Sequence, residues 1–279
     1  MKKSSVSSNE KKKKTSKKKR RRLRRIRRLL VFLLIVSGVI VFARSSFFTV
    51  EKIDVTGNKK YSEKELVVKT GLVPGRNVFK MLGEKPKNLL NFSFNDLEQE
   101  VSKSMPYIKS VSIRPALPAT IKIKVQERTP FAILEVNSKN LLVDREGYAL
   151  EVLDSKSPLL KNYFKIIGTS VDSFNMGQAV EFKDGISLMD LSSFCDIVIK
   201  NDKKENLKLY EKITVIDLSD FPYLSVQFDK RIMVKFSDLE KADYELSVFR
   251  HLFVNNITAK QKGMLDFTKG SNPYFVPDK

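Results

Sequence analysis

The sequence predicts an α+β protein in which a single N-terminal transmembrane helix precedes two domains. The first domain has the order β-α-α-β-β, and the second is a mixed α/β domain built mainly on an antiparallel sheet. Two observations support this. A long apolar run follows a basic leader, and after it segments with a strand pattern and segments with a helix pattern follow one another, separated by turn residues. With 279 residues, the chain also exceeds what one core of about 150 residues fills.

The basic charge is concentrated at the N-terminus. The chain has 52 Lys and Arg against 32 Asp and Glu, a net charge of +20. Nine Lys, seven Arg and one Glu give residues 1–28 a charge of +15, which leaves +5 for the rest. This arm has no aromatic residue on which a base could stack, so we expect no nucleic-acid partner. It is predicted to be a disordered, cytoplasmic basic arm that contacts anionic membrane lipid.

The apolar run Leu29–Ala43 predicts the membrane anchor. As a helix its fifteen residues would span about 22 Å, so we extend the predicted transmembrane helix through the next aromatic residue, to 29–47. Four arginines crowd the N-terminal side of the run, whereas Arg44 stands alone on the other side. The positive-inside rule therefore predicts a single-pass type II protein, with a cytoplasmic N-terminus and an extracytoplasmic C-terminus.

Two other interpretations of the apolar run remain open. A cleavable signal peptide ending at Ala43 has the same order of charge and apolar residues, and the buried helix of a soluble domain has a similar composition. The long charged leader and the aromatic residues after Ala43 weigh against cleavage. The cationic flank weighs against burial.

Five short elements follow the anchor. Glu51–Thr56 alternates with a period of two and predicts a strand. A helix starts at the capping box Ser62–Glu65 and ends at Gly71, and after a loop over 71–95 a second helix covers Asn95–Met105. Two more strands are predicted at Ser110–Arg114 and Thr120–Gln126, joined by a turn that contains two prolines. These elements give the order β-α-α-β-β.

The second domain begins with strands and continues with helices and a hairpin. The cleanest pattern is the hairpin of Leu224–Phe228 and Ile232–Phe236, which turns at Asp229-Lys230. A helix capped by Ser237–Glu240 follows it. The other predicted elements are strands at 132–136, 141–144, 148–152 and 164–167 and a helix at 186–200.

No catalytic, cofactor-binding or metal-binding residues are predicted, and the chain is not expected to be an enzyme. Cys195 and His251 are the only Cys and His, so zinc sites and catalytic triads that use His lack their parts. Cys195 falls on the apolar stripe of its helix and is expected to be buried and inert, whereas His251 falls off the stripe of the last helix. The chain is therefore expected to act by binding other proteins.

Three segments carry a resemblance to a known family. They are residues 48–58 (FTVEKIDVTGN), 107–114 (YIKSVSIR) and 117–128 (LPATIKIKVQER), the last followed by Pro130. In this order and spacing they resemble the POTRA domain of the FtsQ/DivIB family of bacterial cell-division proteins. The resemblance covers essentially the whole chain. The predicted domains are the arm 1–28, the transmembrane helix 29–47, the POTRA domain 48–128, the extracytoplasmic β domain 129–262, and the C-terminal strand and tail 263–279.

The resemblance implies a scaffold of the bacterial division complex, enriched at the septum. Its implied partners are coiled-coil membrane proteins of the FtsB/DivIC and FtsL kinds, with septal peptidoglycan synthases as further partners. Residues 263–269 are expected to form the last strand, whose exposed edge could accept a partner strand. An alternative is that Leu265 and Phe267 simply close the core. The expected partner-binding residues are Asp266, Phe267, Thr268, Lys269, Tyr274 and Phe275.

Two other functions are alternatives. One is a POTRA-containing chaperone or translocation component, although the run of alternating lipid-facing strands that a barrel needs does not follow here. The other is a lipid or nucleic-acid binder that acts through the arm, which should lose function when residues 1–28 are replaced by a short basic stub.

Overall fold

The computed structural model describes residues 6–171, 173–183, 185, 187–205, 207–270 and 273–278, and the side chains from residue 22 onward except at 204 and 205. The chain divides into two compact units. One consists of Met1–Thr56, Glu63–Glu98 and Ser112–Lys124, and the other of Gly57–Ser62, Gln99–Val111 and Val125–Lys279. The domain limits given above remain predictions.

A single helix, α1 (Val6–Ala43), contains both the basic and the apolar segment. Its part from Arg22 to Ala43 is long and apolar enough to cross a membrane, and none of these residues is buried in the protein. At about 1.5 Å per residue, 22 residues reach about 33 Å, enough for the hydrocarbon core. The apolar segment thus reaches membrane length by including basic residues at its start, whose long side chains can extend toward the interface.

The structure differs from two predictions about this region. Residues 6–28 are helical rather than disordered, because Lys and Arg are good helix formers and a helix propagates easily from the apolar segment. The helix ends at Ala43 rather than at residue 47. Phe48, which lies in a short 3₁₀ helix, and Val50 are buried within the folded unit.

The predicted β-α-α-β-β order is confirmed, with two additional short helices inside the predicted loop 71–95. The strands form a three-stranded sheet in the order β1-β3-β2, in which β1 and β3 are parallel and Ile53 lies opposite Ile121. Every second residue of β3 is buried, as its alternation predicts. The elements are β1 (Lys52–Thr56), α2 (Glu63–Thr70), α3 (Val78–Gly83), α4 (Pro86–Asn91), α5 (Asn95–Ser104), β2 (Ile108–Ala116) and β3 (Thr120–Glu127).

The remaining elements build a nine-stranded mixed sheet in the order β12-β11-β10-β9-β8-β7-β4-β5-β6. Five of its eight strand pairs are antiparallel, which confirms a mainly antiparallel second sheet. The elements are β4 (Pro130–Val136), β5 (Lys139–Asp144), β6 (Ala149–Leu153), β7 (Lys165–Ile167), α6 (Leu188–Glu205), α7 (Leu209–Lys212), β8 (Ile213–Asp217), β9 (Leu224–Phe228), β10 (Ile232–Phe236), α8 (Ala242–Asn255), β11 (Gly263–Asp266) and β12 (Tyr274–Pro277).

The hairpin of β9 and β10 forms as predicted. Asp229 and Lys230 have φ values of 57° and 56°, the left-handed conformation that a two-residue type I′ turn needs at both positions. Val226 pairs with Val234, and both are buried. The hairpin carries the sheet toward β11 and β12, so its register sets the position of the C-terminal edge.

Helices α6 and α8 contribute their apolar stripes to the main core of the sheet. Phe194 of α6 contacts Phe236, with ring centroids 5.1 Å apart, and Phe249 of α8 contacts Phe228 at 4.7 Å. Burying one such side chain stabilises the fold by about 1.5–3 kcal/mol. Cys195 lies in this core, where burial raises the pKa of its thiol to about 12. The predicted start of α6 at residue 186 lies outside the described residues.

The start of α8 differs from its predicted cap. Ser237–Glu240 lies before the helix, which begins at Ala242. The Glu245 carboxylate accepts hydrogen bonds from the backbone N–H of Ser237, at 2.9 Å, and from its hydroxyl. A carboxylate one turn inside the helix therefore accepts both the N–H and the hydroxyl hydrogen of Ser237. Separately, the Asp238 carboxylate accepts a hydrogen bond from the backbone N–H of Glu240.

Candidate protein-binding edge

The C-terminal edge of the nine-stranded sheet consists of two strands rather than the single strand predicted for residues 263–269. β11 pairs with β10 in parallel, and β12 pairs with β11 antiparallel. β11 is therefore internal, and β12 forms one edge of the sheet, opposite the edge formed by β6. The prediction that the last strand lies at 263–269 is wrong, because Tyr274–Pro277 folds back onto it. Sequence reasoning missed β12 because a four-residue strand next to a proline gives little alternation.

The hydrogen bonds of β12 fix which backbone groups face solvent. The N–H of Asp278 donates to the C=O of Lys262, at 2.9 Å, and Gly263 lies opposite Pro277. In an antiparallel pair, alternate residues face the partner strand, so the N–H and C=O groups of 274, 276 and 278 face β11. Those of 273, 275 and 277 face outward. Because Pro273 and Pro277 have no N–H, Phe275 supplies the one outward donor among the described residues 273–278.

Gly263 permits the close approach of β12. A Cβ atom at this position would lie 2.3 Å from the backbone carbonyl oxygen of Val276 and 2.9 Å from the ring of Phe275. No side chain fits there without moving β12. The Phe275 ring covers this position on the core side and packs partly buried against the main core.

The predicted site residues fall into two groups. Phe267 is buried, with its ring stacked on that of Phe236 at a centroid distance of 6.1 Å. It closes the core, as the alternative interpretation of this segment expects. Tyr274, with a relative exposure of 79%, and Lys269 face solvent. Phe275 is intermediate in exposure, between the buried Phe267 and the exposed Tyr274.

Asp266 and Thr268 form a local turn after β11. The Asp266 carboxylate accepts hydrogen bonds from the backbone N–H of Thr268, at 2.8 Å, and from its hydroxyl, at 2.6 Å. Burial alone would raise the pKa of Asp266, but these two bonds, with the charges of Lys269 and Lys235, lower it below its ordinary value. Asp266 therefore remains ionised. The hydroxyl hydrogen of Thr268 is already donated to Asp266. Both residues shape the loop into β12.

An apolar row that the predicted site did not include crosses the sheet toward the same edge. Met233 lies opposite Met264, and Met264 lies opposite Val276. Met264 and Val276 are exposed, whereas their neighbours Leu265 and Phe275 face the core. The alternation of Gly263–Asp266 could have revealed Met264, but Val276 required knowledge of β12.

This surface presents groups for hydrogen bonding and for apolar contact. Within the described ranges, no three His, Cys, Asp or Glu side chains lie close enough to hold a metal ion. The edge instead offers backbone groups, an exposed aromatic ring and an apolar row. These are the features by which a sheet accepts an added strand, with backbone hydrogen bonds for affinity and alternate side chains for specificity.

Comparison with known proteins gives a consistent set of relatives. Residues 48–128 match the model of the FtsQ-type POTRA domain. The chain is 27% identical over 229 residues to cell division protein DivIB of Clostridium acetobutylicum, covering 82% of this chain and 83% of that one. It is 23% identical to DivIB of Clostridium tetani, covering 81% and 78%. Cell division protein FtsQ of Syntrophotalea carbinolica is 28% identical, covering 42% and 37%.

Proposed function

Since the chain belongs to the FtsQ/DivIB family of bacterial cell-division proteins, we propose that it is a membrane-anchored scaffold that promotes assembly of the septal division complex through contacts of its extracytoplasmic domains. Its relatives over most of its length are named as cell division proteins, and it carries the FtsQ-type POTRA domain. The family is one of non-catalytic scaffolds, and we extend that role to this chain.

The binding surface that we propose is the free edge of β12. Its outward groups are carbonyl oxygens with one N–H, that of Phe275, between two prolines. A partner strand that pairs with β12 receives one N–H donor, that of Phe275, and must supply the N–H donors for the outward carbonyl oxygens. The exposed side chains of Tyr274 and Val276 would contact alternate residues of that strand. The free edge is the observation that carries the proposal.

The partners that we propose are coiled-coil membrane proteins of the FtsB/DivIC and FtsL kinds. Septal peptidoglycan synthases would be reached through the same assembly. Each partner crosses the membrane itself, so the anchor α1 raises its effective concentration near β12. We propose enrichment at the division septum as the result of these contacts.

We propose type II topology for the anchor, with residues 1–28 in the cytoplasm. The basic side chains near the start of the span would then lie against the anionic inner leaflet, where each contributes about 1 kcal/mol. The arm is proposed to orient the protein rather than to bind nucleic acid. We do not favour the translocation alternative, because the curated relatives are division proteins and the second sheet belongs to a compact unit.

The test uses the full-length protein with its DivIC-type and FtsL-type partners from the same bacterium. Phe275→Pro removes the single outward N–H, while proline is tolerated on an edge strand whose N–H makes no ladder bond. Phe275→Leu is the matched control, since it alters the ring and keeps the N–H. Loss of one hydrogen bond of about 1 kcal/mol predicts a roughly fivefold weaker complex for the proline variant relative to the leucine variant.

The readout is the dissociation constant from titration in detergent or nanodiscs. Equal affinities for both variants and the unchanged protein would place strand addition elsewhere on the chain. Septal fluorescence of the tagged variants then reports whether the same contact localises the protein in cells.

A further inference from the structure

The predicted loop 71–95 contains two short helices, α3 and α4, and its Asn77 is tied to the end of the membrane anchor. The amide nitrogen of Asn77 donates to the carbonyl oxygens of Ala43, at 3.0 Å, and Ser45, at 2.8 Å. Its Oδ1 accepts from the backbone N–H of Lys80, at 3.1 Å, which caps α3. One side chain therefore connects the C-terminus of α1 with the N-terminus of α3.

Aromatic contacts extend this connection to α4. The rings of Phe48 and Phe79 meet edge to face, with centroids 4.9 Å apart, and Phe79 lies 6.1 Å from Phe92, which follows α4. Phe42, near the end of the anchor, contacts Phe48 at 5.2 Å. The pair of short helices is thus fixed beside the point where the chain leaves the membrane-spanning helix. All these residues belong to one compact unit.

The polarity of α4 is inverted. Its buried residue is polar, since Asn88 is only 5% exposed and donates to the carboxylate of Asp96. Its apolar side chains lie outside, with Leu90 86% exposed and Leu89 48%. Phe47, just after the anchor helix, is 59% exposed. A helix in water normally presents the reverse arrangement, so this surface is suited to an apolar neighbour.

The charges near the exposed leucines are mainly basic. Residues 76–91 contain four basic side chains and one acidic side chain, Glu84, which pairs with Arg76 at 2.6 Å. Lys85 pairs with Asp96 at 2.8 Å. Lys80 lies within α3 and Lys87 within α4, and both are exposed. Leucines that project from a basic surface are the composition of a segment that lies in a membrane interface.

We propose that α3 and α4 form a second membrane contact, in which Leu89, Leu90 and Phe47 enter the headgroup region of the leaflet at which α1 ends. The occupant of this surface is the bilayer that already contains the anchor, because Asn77 and the phenylalanines hold the leucines beside it. Lys80 and Lys87 lie at the level of anionic lipid headgroups. The inference depends on the anchor and is independent of strand addition at β12.

This contact limits how the membrane-proximal unit can turn. A single helix followed by a flexible joint leaves a domain free to tilt, whereas a second contact beside it defines an orientation. The apolar side chains would reach about 5–10 Å into the boundary between headgroups and acyl chains.

The test places an environment-sensitive fluorophore on the full-length protein in vesicles that contain phosphatidylglycerol. Leu90→Cys is the test position. Lys64→Cys is the matched control, since Lys64 is exposed at the start of α2. The chain returns toward the anchor only after α2, at Gly75, whose N–H donates to the carbonyl oxygen of Val50. The native Cys195 is buried with a raised thiol pKa and should escape labelling.

We expect spin-labelled lipid to quench the fluorophore at position 90 several-fold more strongly than at position 64, and aqueous iodide to show the opposite order. A second variant of the same protein carries the fluorophore at Lys87→Cys. In this variant, replacing Leu89 and Leu90 by serine should abolish the quenching of the fluorophore by lipid. Equal lipid quenching at positions 90 and 64 would overturn the proposal. So would protection of position 90 from iodide without lipid quenching, since a protein would then cover the leucines.

Discussion

Arg128 and Asp144 form the most deeply buried of the ion pairs described in the structure. Its guanidinium bonds the Asp144 carboxylate at 2.7 Å, with side-chain exposures of 8% and 7%, and lies over the ring of Tyr148 at 3.4 Å. Asp144 in turn accepts the N–H groups of Glu146 and Tyr148, which closes the turn between β5 and β6. The end of the segment 117–128 and the turn at Asp144–Gly147 thus meet in one buried cluster.

Replacing Arg128 with Ala should destabilise the fold by about 3–5 kcal/mol, because it leaves the Asp144 carboxylate buried without its cation. Arg145→Ala is the matched control. Arg145 pairs with Asp196 at 2.6 Å, but both side chains are largely exposed, so its removal should cost about 0–1 kcal/mol. Urea unfolding of the full-length protein in detergent measures both. Equal losses would mean that burial does not strengthen the Arg128 pair.

Glu151 gives the fold a dependence on acid. A hydrogen bond from the Tyr107 hydroxyl, at 2.8 Å, and the Lys60 ammonium lower the pKa of Glu151 below its ordinary value of 4.5, although partial burial acts in the opposite direction. A carboxyl group with a lowered pKa stabilises the folded state above its unfolded pKa. This contribution is lost as the pH falls through the lowered value.

The midpoint of urea unfolding should therefore decrease when the pH falls from neutral to below 4.5. In Glu151→Gln the decrease should be shallower, since Gln accepts the Tyr107 hydrogen bond at every pH. Midpoints of both proteins across this range provide the measurement. A variant curve as steep as that of the unchanged protein would contradict the assignment.

At the scale of elements, β12 depends on the absence of a side chain at Gly263. A Cβ atom there would lie 2.3 Å from the Val276 carbonyl oxygen, which belongs to the strand backbone and cannot rotate away. Gly263→Ala should release β12 from β11 while the hairpin of β9 and β10 remains. Hydrogen exchange is expected to increase at the N–H groups of 274, 276 and 278 and to remain slow at Val226 and Val234. Unchanged protection of β12 would show that the backbone adjusts.

The sequence predicted the elements whose patterns are long enough to have a period. The hairpin was recognised from two alternating runs and its turn, and the α6 stripe from repeats of three and four residues. The helices α3 and α4 were missed because six residues give fewer than two turns, too short for a helical period. β12 was missed for a similar reason. The roles of Phe267 and Tyr274 depended on which of two strands was last, and alternation does not decide that.

At the scale of the whole molecule, the proposed topology makes the arm and the tail separable. Replacing residues 1–28 with a short basic stub should leave division unaffected, because the orientation signal needs only charges near the span. Cutting the chain after Asn255 should abolish function, since it removes both β11 and β12. Complementation of a depletion strain measures both variants. A functional truncated protein would exclude the C-terminal edge from the essential contact.

Pro273, just before β12, and Pro277, within it, also have a consequence for neighbouring copies of the protein. At the proposed septal location, many copies would bring free sheet edges together at high local concentration, where unprotected edge strands pair side by side into extended sheets. Two antiparallel copies of residues 273–278 could form only the hydrogen bonds donated by the Phe275 N–H groups, because Pro273 and Pro277 have no backbone N–H to donate to a second copy. A foreign strand rich in available N–H groups meets no such deficit, so this edge discriminates against self-association.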